Sequence, residues 1–392
     1  MSAAIPLTGI ADGWLCDLAR MAGSAALDRI DGHTLLGERA MLGGFRIPAR
    51  VSAGGGCRLY AARGGDIALN LARADDRDLL PALFETDADC SSEAAVTAHI
   101  AERDAHALVV RGRLLGLAIA AVDEPEVPGA ACTPLTMAAA TALPAPRAPH
   151  VLDLSALWAG PLAAHLLWLL DADVTKVETR KRPDMMREGD AAFFALLNQG
   201  KASVVLDFHD AQDRAALLAL IARSDIVIEA ARPRALEQLG VRADEIVRAQ
   251  PGLTWITITG HGASGGAANW VGFGDDCGVA AGLSAALRDA SGKAGFVGDA
   301  IADPLTGIYA AKAAWTAWTS GRGGRLGVAM SGVVAKAMAA ARAHDAAGFN
   351  RELVAWATSA GEPFPSVGHR DVGRVSPLGA DTRACLAECA PC

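Results

Sequence analysis

Two aspartates lie close together in 296-FVGDAIADPLTGIYAAKAAW-315, among small residues and just before an apolar run that is typical of a helix. Neither Asp299 nor Asp303 has a basic residue within several positions along the chain. A carboxylate is a weak nucleophile, and a dry pocket makes it more reactive because it stays ionised but poorly solvated. Asp is also a favoured N-cap residue, so a structural cap is the alternative for Asp303. The residues alone favour the cap and leave a nucleophile open.

Basic residues are concentrated in 179-TRKRPDMMR-187, and further ones flank neighbouring strand-like runs. The residues concerned are Arg180, Lys181, Arg182, Arg187, Lys201, Arg232 and Arg234. Cationic groups gathered near strand ends could hold a polyphosphate. A solvent-exposed charged face is the open alternative, because charge runs usually face water.

The composition excludes several classes of protein. A chain of 392 residues with 52% hydrophobic and 20% charged residues is globular rather than disordered. Its net charge of −8 argues against a general nucleic-acid binder, so an anionic ligand must be held by a local basic cluster. The sequence shows neither an apolar run of membrane-spanning length nor a signal-peptide pattern. We therefore expect a cytoplasmic protein with no nucleic-acid or membrane partner.

The eight cysteines are scattered through a chain that is large enough to fold without disulfides, which indicates reduced thiols. The terminal C-x3-C-x2-C spacing of Cys385, Cys389 and Cys392 is a possible metal motif, but it lacks a fourth ligand nearby. The histidines are dispersed and show no metal-ligand spacing with acidic residues, so we expect no bound metal.

From residue 151 onwards the chain alternates short apolar runs with helical patterns. The runs are VLDLS, VTKVE, SVVLDF, DIVIEA and LTWITIT. This alternation predicts βαβ units in a mostly parallel sheet, and ligands of such sheets bind at the carboxyl ends of the strands. The layout is Rossmann-like, but the G-x-G-x-x-G fingerprint is missing, which argues against a dinucleotide dehydrogenase.

The N-terminal part has a different pattern. "CRLYAA" and "DIALNLA" flank a Gly-Gly turn and predict a β-hairpin, and the following segments predict helices and one more strand, LLGLAIAAV. We therefore predict an α/β fold with a Rossmann-like, mostly parallel sheet domain plus a smaller α+β domain. The expected division is a small α+β domain with a helical N-terminal region (1–122), a Pro/Ala-rich linker (123–150), the Rossmann-like domain (151–340) and a C-terminal helical segment and tail (341–392).

Several of these segments, taken in order, resemble the family III CoA-transferases, the superfamily that includes formyl-CoA transferase, carnitine CoA-transferase and α-methylacyl-CoA racemase. They are VLDLSALWAGPLAAHLLWLLDADVTKVE, LLNQGKASVVLDF, DIVIEAARPRALEQLG, ITITGHGASG and IADPLTGIYAAKAAW. The resemblance covers roughly residues 150 to 332, and agreement across several ordered motifs is more specific than any single motif. The segments 64–84 and 109–122 resemble the small domain of the family, which normally follows the catalytic half and here precedes it. The chain is therefore either circularly permuted or a remnant of a tandem duplication.

The resemblance implies that coenzyme A is bound as a thioester, without a metal, and moves from an acyl-CoA to an acceptor carboxylic acid. Asp303 matches the nucleophile of the family, which forms an acyl-aspartyl anhydride and then an aspartyl-CoA thioester. The implied CoA contacts are Leu157, Trp158, Ala159, Arg180, Leu206 and Ala235. The family's phosphate-binding basic residue falls on Thr179, so Arg180 is one position off. The resemblance also implies a homodimer, with a related chain as the alternative partner. Dimers of the family are interlinked, whereas the changed domain order leaves the dimer expected without requiring the interlock.

Two alternatives remain open. Racemases of this family use a His and an Asp as two bases, but 272-GFGDDCG-278 has no histidine where theirs lies, and His261 is interpreted as a loop residue. The chain also departs from the family at Ala230, where the family has a polar residue, and at Gln238, where it often has an arginine. These departures leave open the second alternative, a non-catalytic acyl-CoA-binding or heteromeric partner.

Overall fold

The computed structural model describes residues 3–124, 129–141, 147–231 and 233–388. In the described part of the chain the strands are β1 (Cys57–Ala62), β2 (Gly65–Asn70), β3 (Ala118–Ala121), β4 (Cys132–Met137), β5 (His150–Asp153), β6 (Asp173–Glu178), β7 (Ala202–Val205), β8 (Ile226–Glu229), β9 (Thr254–Thr259) and β10 (Gly324–Ala329).

The α-helices of the same residues are α1 (Thr8–Ala22), α2 (Gly32–Leu42), α3 (Leu80–Phe84), α4 (Glu93–Ala101), α5 (Ala105–Leu115), α6 (Ala159–Leu169), α7 (Met186–Gly189), α8 (Ala191–Asn198), α9 (Ala211–Arg223), α10 (Pro233–Gln238), α11 (Ala243–Ala249), α12 (Gly274–Ala280), α13 (Leu283–Ser291), α14 (Ala302–Thr319), α15 (Met330–Thr358) and α16 (Thr382–Ala387). Short 3-10 helices occur at Ala26–Arg29, Ala74–Leu79 and Gly266–Asn269. Within the described ranges, no helix combines the length and the apolar character needed to cross a bilayer.

The small sheet has the order β1-β2-β3 and is antiparallel throughout. Ala62 pairs with Gly65, so the hairpin turn is Arg63–Gly64, and Gly64 has a φ of 87°, which a residue without Cβ adopts at little cost. Ile67, Leu69 and Ile119 of these strands pack with apolar residues of α3, α4 and α5 in one cluster. The predicted hairpin is confirmed.

The large sheet has the order β4-β10-β9-β8-β5-β6-β7. Its strands are parallel except β4, which runs antiparallel to β10. One face packs on α6, α8 and α14, and the other packs on α9 and α11. The predicted α/β fold with a mostly parallel sheet and a smaller antiparallel sheet is therefore confirmed.

The segment 123–150, which the sequence analysis interprets as a linker, includes the edge strand β4. Part of that segment, 125–128 and 142–146, lies outside the described residues. Pro134 lies inside β4 opposite Leu326, next to an irregularity in the register between Arg325 and Leu326. An edge strand tolerates proline because one side of it has no ladder hydrogen bonds to lose. A proline-rich composition was thus a poor guide to the structure here.

The N-terminal helices pack with helices of the large sheet. α1 and α2 contribute Leu15, Leu18 and Leu35 to the apolar cluster that also holds Leu162 of α6 and Ile308 of α14. The domain boundaries stay a prediction, but this packing favours grouping the first two helices with the large sheet.

Helices α6 and α14 approach each other closely at Gly307. A Cβ atom at this position would lie 2.8 Å from Leu162 Cδ2 and 2.9 Å from the backbone oxygen of Ala159. The missing side chain therefore lets the first turn of α14 lie against the N-terminus of α6, at the carboxyl end of β5.

We expect Gly307→Ala to lower the free energy of unfolding by roughly 1–3 kcal/mol, because the added methyl group meets backbone and not only a mobile side chain. Gly13→Ala in α1 is the matched control, since a Cβ there has nothing within 4 Å. That substitution should stabilise the protein by about 0.5–1 kcal/mol through helix propensity. Urea unfolding of the two variants measures both effects, and equal effects would contradict the close approach.

Candidate active site

A cleft of about 580 Å³ opens at the carboxyl ends of the central strands, where the alternating pattern places a ligand. The lining residues come from segments that follow four different strands: Leu157 comes after β5, Ala230 after β8, Gly260 after β9 and Met330 after β10. The volume lies in the range of small-molecule sites. Further lining residues are Arg73, Ala235, Gln238, Asn269, Trp270 and Phe273.

Asp303 lies in the first turn of α14, and its partly exposed side chain lines this cleft. The backbone N–H of Ala159, at the start of α6, donates a hydrogen bond to the carboxylate. Burial raises the pKa of Asp303 to about 7, against the nearby guanidinium of Arg39, which lowers it. Asp303 is therefore a carboxylate that titrates near neutral pH beside a positive helix end.

The backbone on both sides of this contact is strained. Leu157 has a φ of 69° and Ala300 a φ of 43°, so both non-glycine residues are in the left-handed region. Strain of this kind is maintained only where the surroundings fix it, and it often occurs at functional sites. The two residues lie on the loops that lead into α6, which begins at Ala159, and into α14, whose first turn holds Asp303.

Asp299 has a different environment from Asp303. It is fully buried, and both of its oxygens accept hydrogen bonds from Arg39 of α2, with Arg39 Nε 2.8 Å from Oδ2. The guanidinium also lies over the rings of Trp158 and Phe45, with its central carbon 5.0 Å and 5.7 Å from their centroids. Asp299 is thus occupied by an ion pair, and the basic neighbour that its sequence surroundings lack comes from 260 residues away.

A third carboxylate belongs to the same group. Burial and the charge of Asp299 raise the pKa of Asp275 to about 6, and Asp275 Oδ1 accepts the N–H of Ala300 at 3.1 Å. The preceding residue is Gly274, where a Cβ would lie 2.3 Å from Asp303 Oδ2. The start of α12 therefore presses directly against the Asp303 carboxylate.

Buried charged side chains bind the backbone of the loop after β5. Asp184 accepts the N–H of Leu157 at 3.2 Å, and Lys176 Nζ lies 3.2 Å from Asp184 while donating to the oxygen of Ser155 at 2.8 Å. Lys201 Nζ donates to Asp153 at 2.8 Å. Burial lowers the pKa of Lys201 to about 8 despite this partner. Lys201 is therefore structural and does not face a ligand.

The structure brings together some of the site residues expected from the sequence. Leu157, Ala159, Ala235 and Asp303 line the cleft. Three others lie elsewhere: Trp158 is buried against Phe193, Leu206 is buried in the cluster beneath α9, and Arg180 is exposed on the loop after β6.

Three more of the basic residues expected near a phosphate do not support a phosphate site. Arg187 is bound to Glu178, with Nε 2.9 Å from Oε1. Arg232 lies outside the described residues, and the side chain of Arg234 is not described.

Arg39, Arg73 and Asp275 are site residues that the sequence analysis missed. Arg39 and Arg73 belong to regions that carried no chemical motif, and only the tertiary fold brings them to the cleft region. Asp275 could have been found, because it stands in the acidic pair of 272-GFGDDCG-278.

Removing one partner of the buried Arg39–Asp299 ion pair should strongly destabilise the fold. We expect Arg39→Met to cost about 3–5 kcal/mol in the free energy of unfolding, because Asp299 is left buried and unpaired. The double variant Arg39→Met/Asp299→Leu should recover much of that loss. The exposed pair Arg20–Asp17 gives the control, and Arg20→Met should change stability by less than about 0.5 kcal/mol. Urea unfolding of these variants at neutral pH measures the changes in stability. A double variant that loses as much stability as the two single changes added together would contradict a dominant ion pair.

The raised pKa of Asp303 has a consequence for stability. A carboxyl group whose pKa is higher in the folded than in the unfolded state stabilises the fold at low pH, and this contribution is lost as the pH rises through the folded value. Asp303→Asn cannot ionise, so it should stabilise the protein by roughly 1–3 kcal/mol at about pH 8.5 and have little effect at about pH 4. Thermal unfolding across this range tests the expectation, and a pH-independent difference would contradict a raised pKa.

Comparison with known proteins supplies the family. The sequence model of CoA-transferase family III matches residues 149–359. Among curated relatives, a succinyl-CoA–D-citramalate CoA-transferase of Chloroflexus aurantiacus is 31% identical over 169 residues, 41% of this chain and 42% of that protein. A succinate–glutarate CoA-transferase of Agrobacterium fabrum is 29% identical over 177 residues, 42% of this chain and 44% of that protein.

A solved structure, a hypothetical protein from Mycobacterium tuberculosis, aligns with a TM-score of 0.47 and 28% identity over 52% of this chain and 59% of that one. The chain spans about four tenths of the length of the curated relatives it matches. The family match includes the strands that surround the cleft, the helix α6 and the segment with Asp303. Because this match covers more than half of the sequence, the chain belongs to CoA-transferase family III.

Proposed function

We propose that the chain acts as a CoA-transferase, with Asp303 as the nucleophile that takes the acyl group and then CoA. The observation that carries this proposal is the placement of Asp303. Its carboxylate faces a cleft at the carboxyl end of a parallel sheet, against the N-terminus of α6, and it lies within the segment that matches the family. The rival carboxylate, Asp299, is bound to Arg39 and fully buried.

The proposed reaction begins when a carboxylate oxygen of Asp303 attacks the thioester carbonyl of an acyl-CoA. The carbon–sulfur bond breaks, CoA leaves as a thiolate, and an acyl-aspartyl anhydride remains. The thiolate then attacks the aspartyl carbonyl, which releases the donor acid and leaves an aspartyl-CoA thioester. An acceptor carboxylate repeats the two steps in reverse order, and Asp303 is regenerated as a carboxylate.

The surroundings of Asp303 suit this chemistry. Partial burial keeps the carboxylate poorly solvated, and a pKa of about 7 leaves a substantial ionised fraction at neutral pH. Arg39 lies close enough to lower the pKa but forms its hydrogen bonds with Asp299. Asp303 is therefore not masked by a direct ion pair, and the proposed nucleophile keeps its lone pairs for the substrate.

We further propose that the acyl-pantetheine arm enters along the turn at Leu157 and Ala159, where backbone groups and the first turn of α6 line the cleft. β6 lies next to β5, so the loop after β6 emerges at the same edge of the sheet. Exposed Arg180 and Arg182 on that loop are our candidates for the CoA phosphates. Ala230 lines the cleft where the family has a polar residue, and its small side chain leaves room for an acyl group.

The substrate class is a proposal as well: an acyl-CoA donor and a carboxylic acid acceptor. Relatives named for transfer among succinate, citramalate and glutarate support it. Racemisation is less well supported, because burial lowers the pKa of His261 to about 3, and its ring faces a separate, smaller pocket.

The test is the mass of the intact protein after incubation with a panel of acyl-CoAs. We expect an adduct that hydroxylamine removes, that forms faster as the pH rises towards about 8, and that Asp303→Asn abolishes. The increase with pH follows from the raised pKa of Asp303, since only the ionised carboxylate attacks. The exposed Asp289 gives the matched control, and Asp289→Asn should form the adduct at the parent rate.

Two results would contradict the proposal. An adduct that persists in Asp303→Asn and disappears in Asp299→Asn would move the nucleophile to Asp299. A folded parent chain that forms no adduct but exchanges the α-proton of an acyl-CoA with solvent deuterium would favour a racemase.

A further inference from the structure

A second group of reactive side chains lies behind the wall of the cleft. His261 comes from the loop after β9, and Asp276 and Cys277 come from the first turns of α12. All three are buried, with His261 7% exposed and the other two fully enclosed. One potential ligand atom from each lies within 4.8 Å of the others. Their spacing along the chain did not predict this group, because His261 is separated from the pair by fifteen residues or more.

His261 and Asp276 each have two polar side-chain atoms, and in each residue one of the two forms hydrogen bonds within the protein. His261 forms a hydrogen bond with the backbone of Val271. Asp276 Oδ1 accepts from the N–H of Phe273 at 3.0 Å and from Asn70 Nδ2 at 3.2 Å. Within the part of the chain that the structure describes, His261 Nε2 and Asp276 Oδ2 are buried without a hydrogen-bond partner. Buried polar atoms are rarely left without a partner, and a bound ion supplies one to such atoms.

The third side chain, Cys277, faces the same place. A Cβ atom at Gly272 would lie 2.5 Å from Cys277 Sγ and 3.0 Å from His261 Nε2, so both atoms converge on a position that only a glycine leaves open. Cys277 Sγ also lies 3.4 Å from the backbone oxygen of Gly260. Imidazole nitrogens, carboxylate oxygens and thiolates are the ligands that zinc prefers, at about 2.0–2.3 Å.

The arrangement also has the outer contacts of a metal site. A metal-bound histidine usually donates its other ring N–H to a carbonyl or carboxylate, and a metal-bound carboxylate is itself hydrogen-bonded. The contacts of His261 and Asp276 with Val271, Phe273 and Asn70 correspond to this pattern.

The charges near the group are compatible with a cation. Arg113 is the nearby positive group, and its guanidinium is matched by Glu124 through two hydrogen bonds of 3.0 Å and 2.9 Å. Asp275 and Asp303 add negative potential at Cys277.

We propose that His261, Asp276 and Cys277 bind a divalent zinc ion with three protein ligands and a fourth position for water or a backbone oxygen. On binding, the thiol of Cys277 loses its proton to solvent and the metal–sulfur bond takes its place. The ion would join the loop after β9 to α12. It would thereby fix Gly260 and Gly272, which line the cleft beside Asp303. This role is structural and does not depend on the proposed transferase reaction.

The experiment uses the full chain with Cys385→Ser, Cys389→Ser and Cys392→Ser, so that the terminal cysteines cannot contribute thiolates. After treatment with a chelator, the protein is titrated with Co²⁺, which reports a thiolate ligand through a near-ultraviolet charge-transfer band. We expect one equivalent of Co²⁺ per chain, displacement by Zn²⁺, and a higher Tm with Zn²⁺ present.

Variants separate this site from adventitious binding. Cys277→Ser, a nearly isosteric change, should abolish the charge-transfer band. His261→Ala removes a direct ligand and should therefore weaken binding by more than the roughly 10–100-fold that is typical of a lost outer contact. Gly272→Ala keeps all three ligands but places a methyl group between them, so it should also abolish uptake. Cys90→Ser and His209→Ala, which lie outside the group, are the controls and should bind as the parent does. Failure of the parent to take up Co²⁺ or Zn²⁺ stoichiometrically, or uptake that Cys277→Ser leaves unchanged, overturns the proposal.

Discussion

The guanidinium of Arg39 is the charge on which the region around the cleft depends. Three carboxylates, from Asp275, Asp299 and Asp303, are close enough to raise the pKa of this arginine still further, and Asp299 binds it directly. Enclosing several carboxylates without a cation would force them to take up protons or would destabilise the fold. One arginine therefore permits a buried pair at Asp299, while Asp303 accepts a backbone N–H and feels the arginine only through its charge. The helix that carries Arg39, α2, thereby becomes part of the site.

A second constraint acts on the backbone. Gly307 lets α14 lie against α6. Leu157 and Ala300, the two residues with left-handed backbone, lie on the loops that lead into these two helices. Lys176 of β6 and Asp184 of the loop that follows β6 hold the first of these loops. The position of the Asp303 carboxylate is thus fixed by packing and by buried hydrogen bonds rather than by its own side chain alone, which is how a reactive group is held in one orientation.

Local patterns predicted much of this molecule. The hairpin, the parallel strands and the position of the cleft all follow from short-range periodicity and from the rule that ligands bind at carboxyl strand ends. The turn at Leu157 and Ala159 was equally accessible, because a turn after a strand is a local feature, whereas its contact with CoA is implied by the family resemblance and stays a prediction. The sequence could not predict that Leu206 is enclosed in the core, nor that Arg187 and Lys201 are neutralised by Glu178 and Asp153. Those outcomes depend on which side chains meet across the fold.

The small sheet contributes residues both to the cleft and to the buried group behind it. Arg73, just after β2, lines the cleft, and Asn70 of the same strand donates to Asp276 on α12. These contacts require only that β2 lies beside the loops of the large sheet, and they do not depend on which domain comes first in the chain. Connections between elements run over the surface, whereas the wall of the cleft is built from packed surfaces. The segment around β2 therefore supplies part of the cleft that holds Asp303, although the large sheet supplies the strand ends.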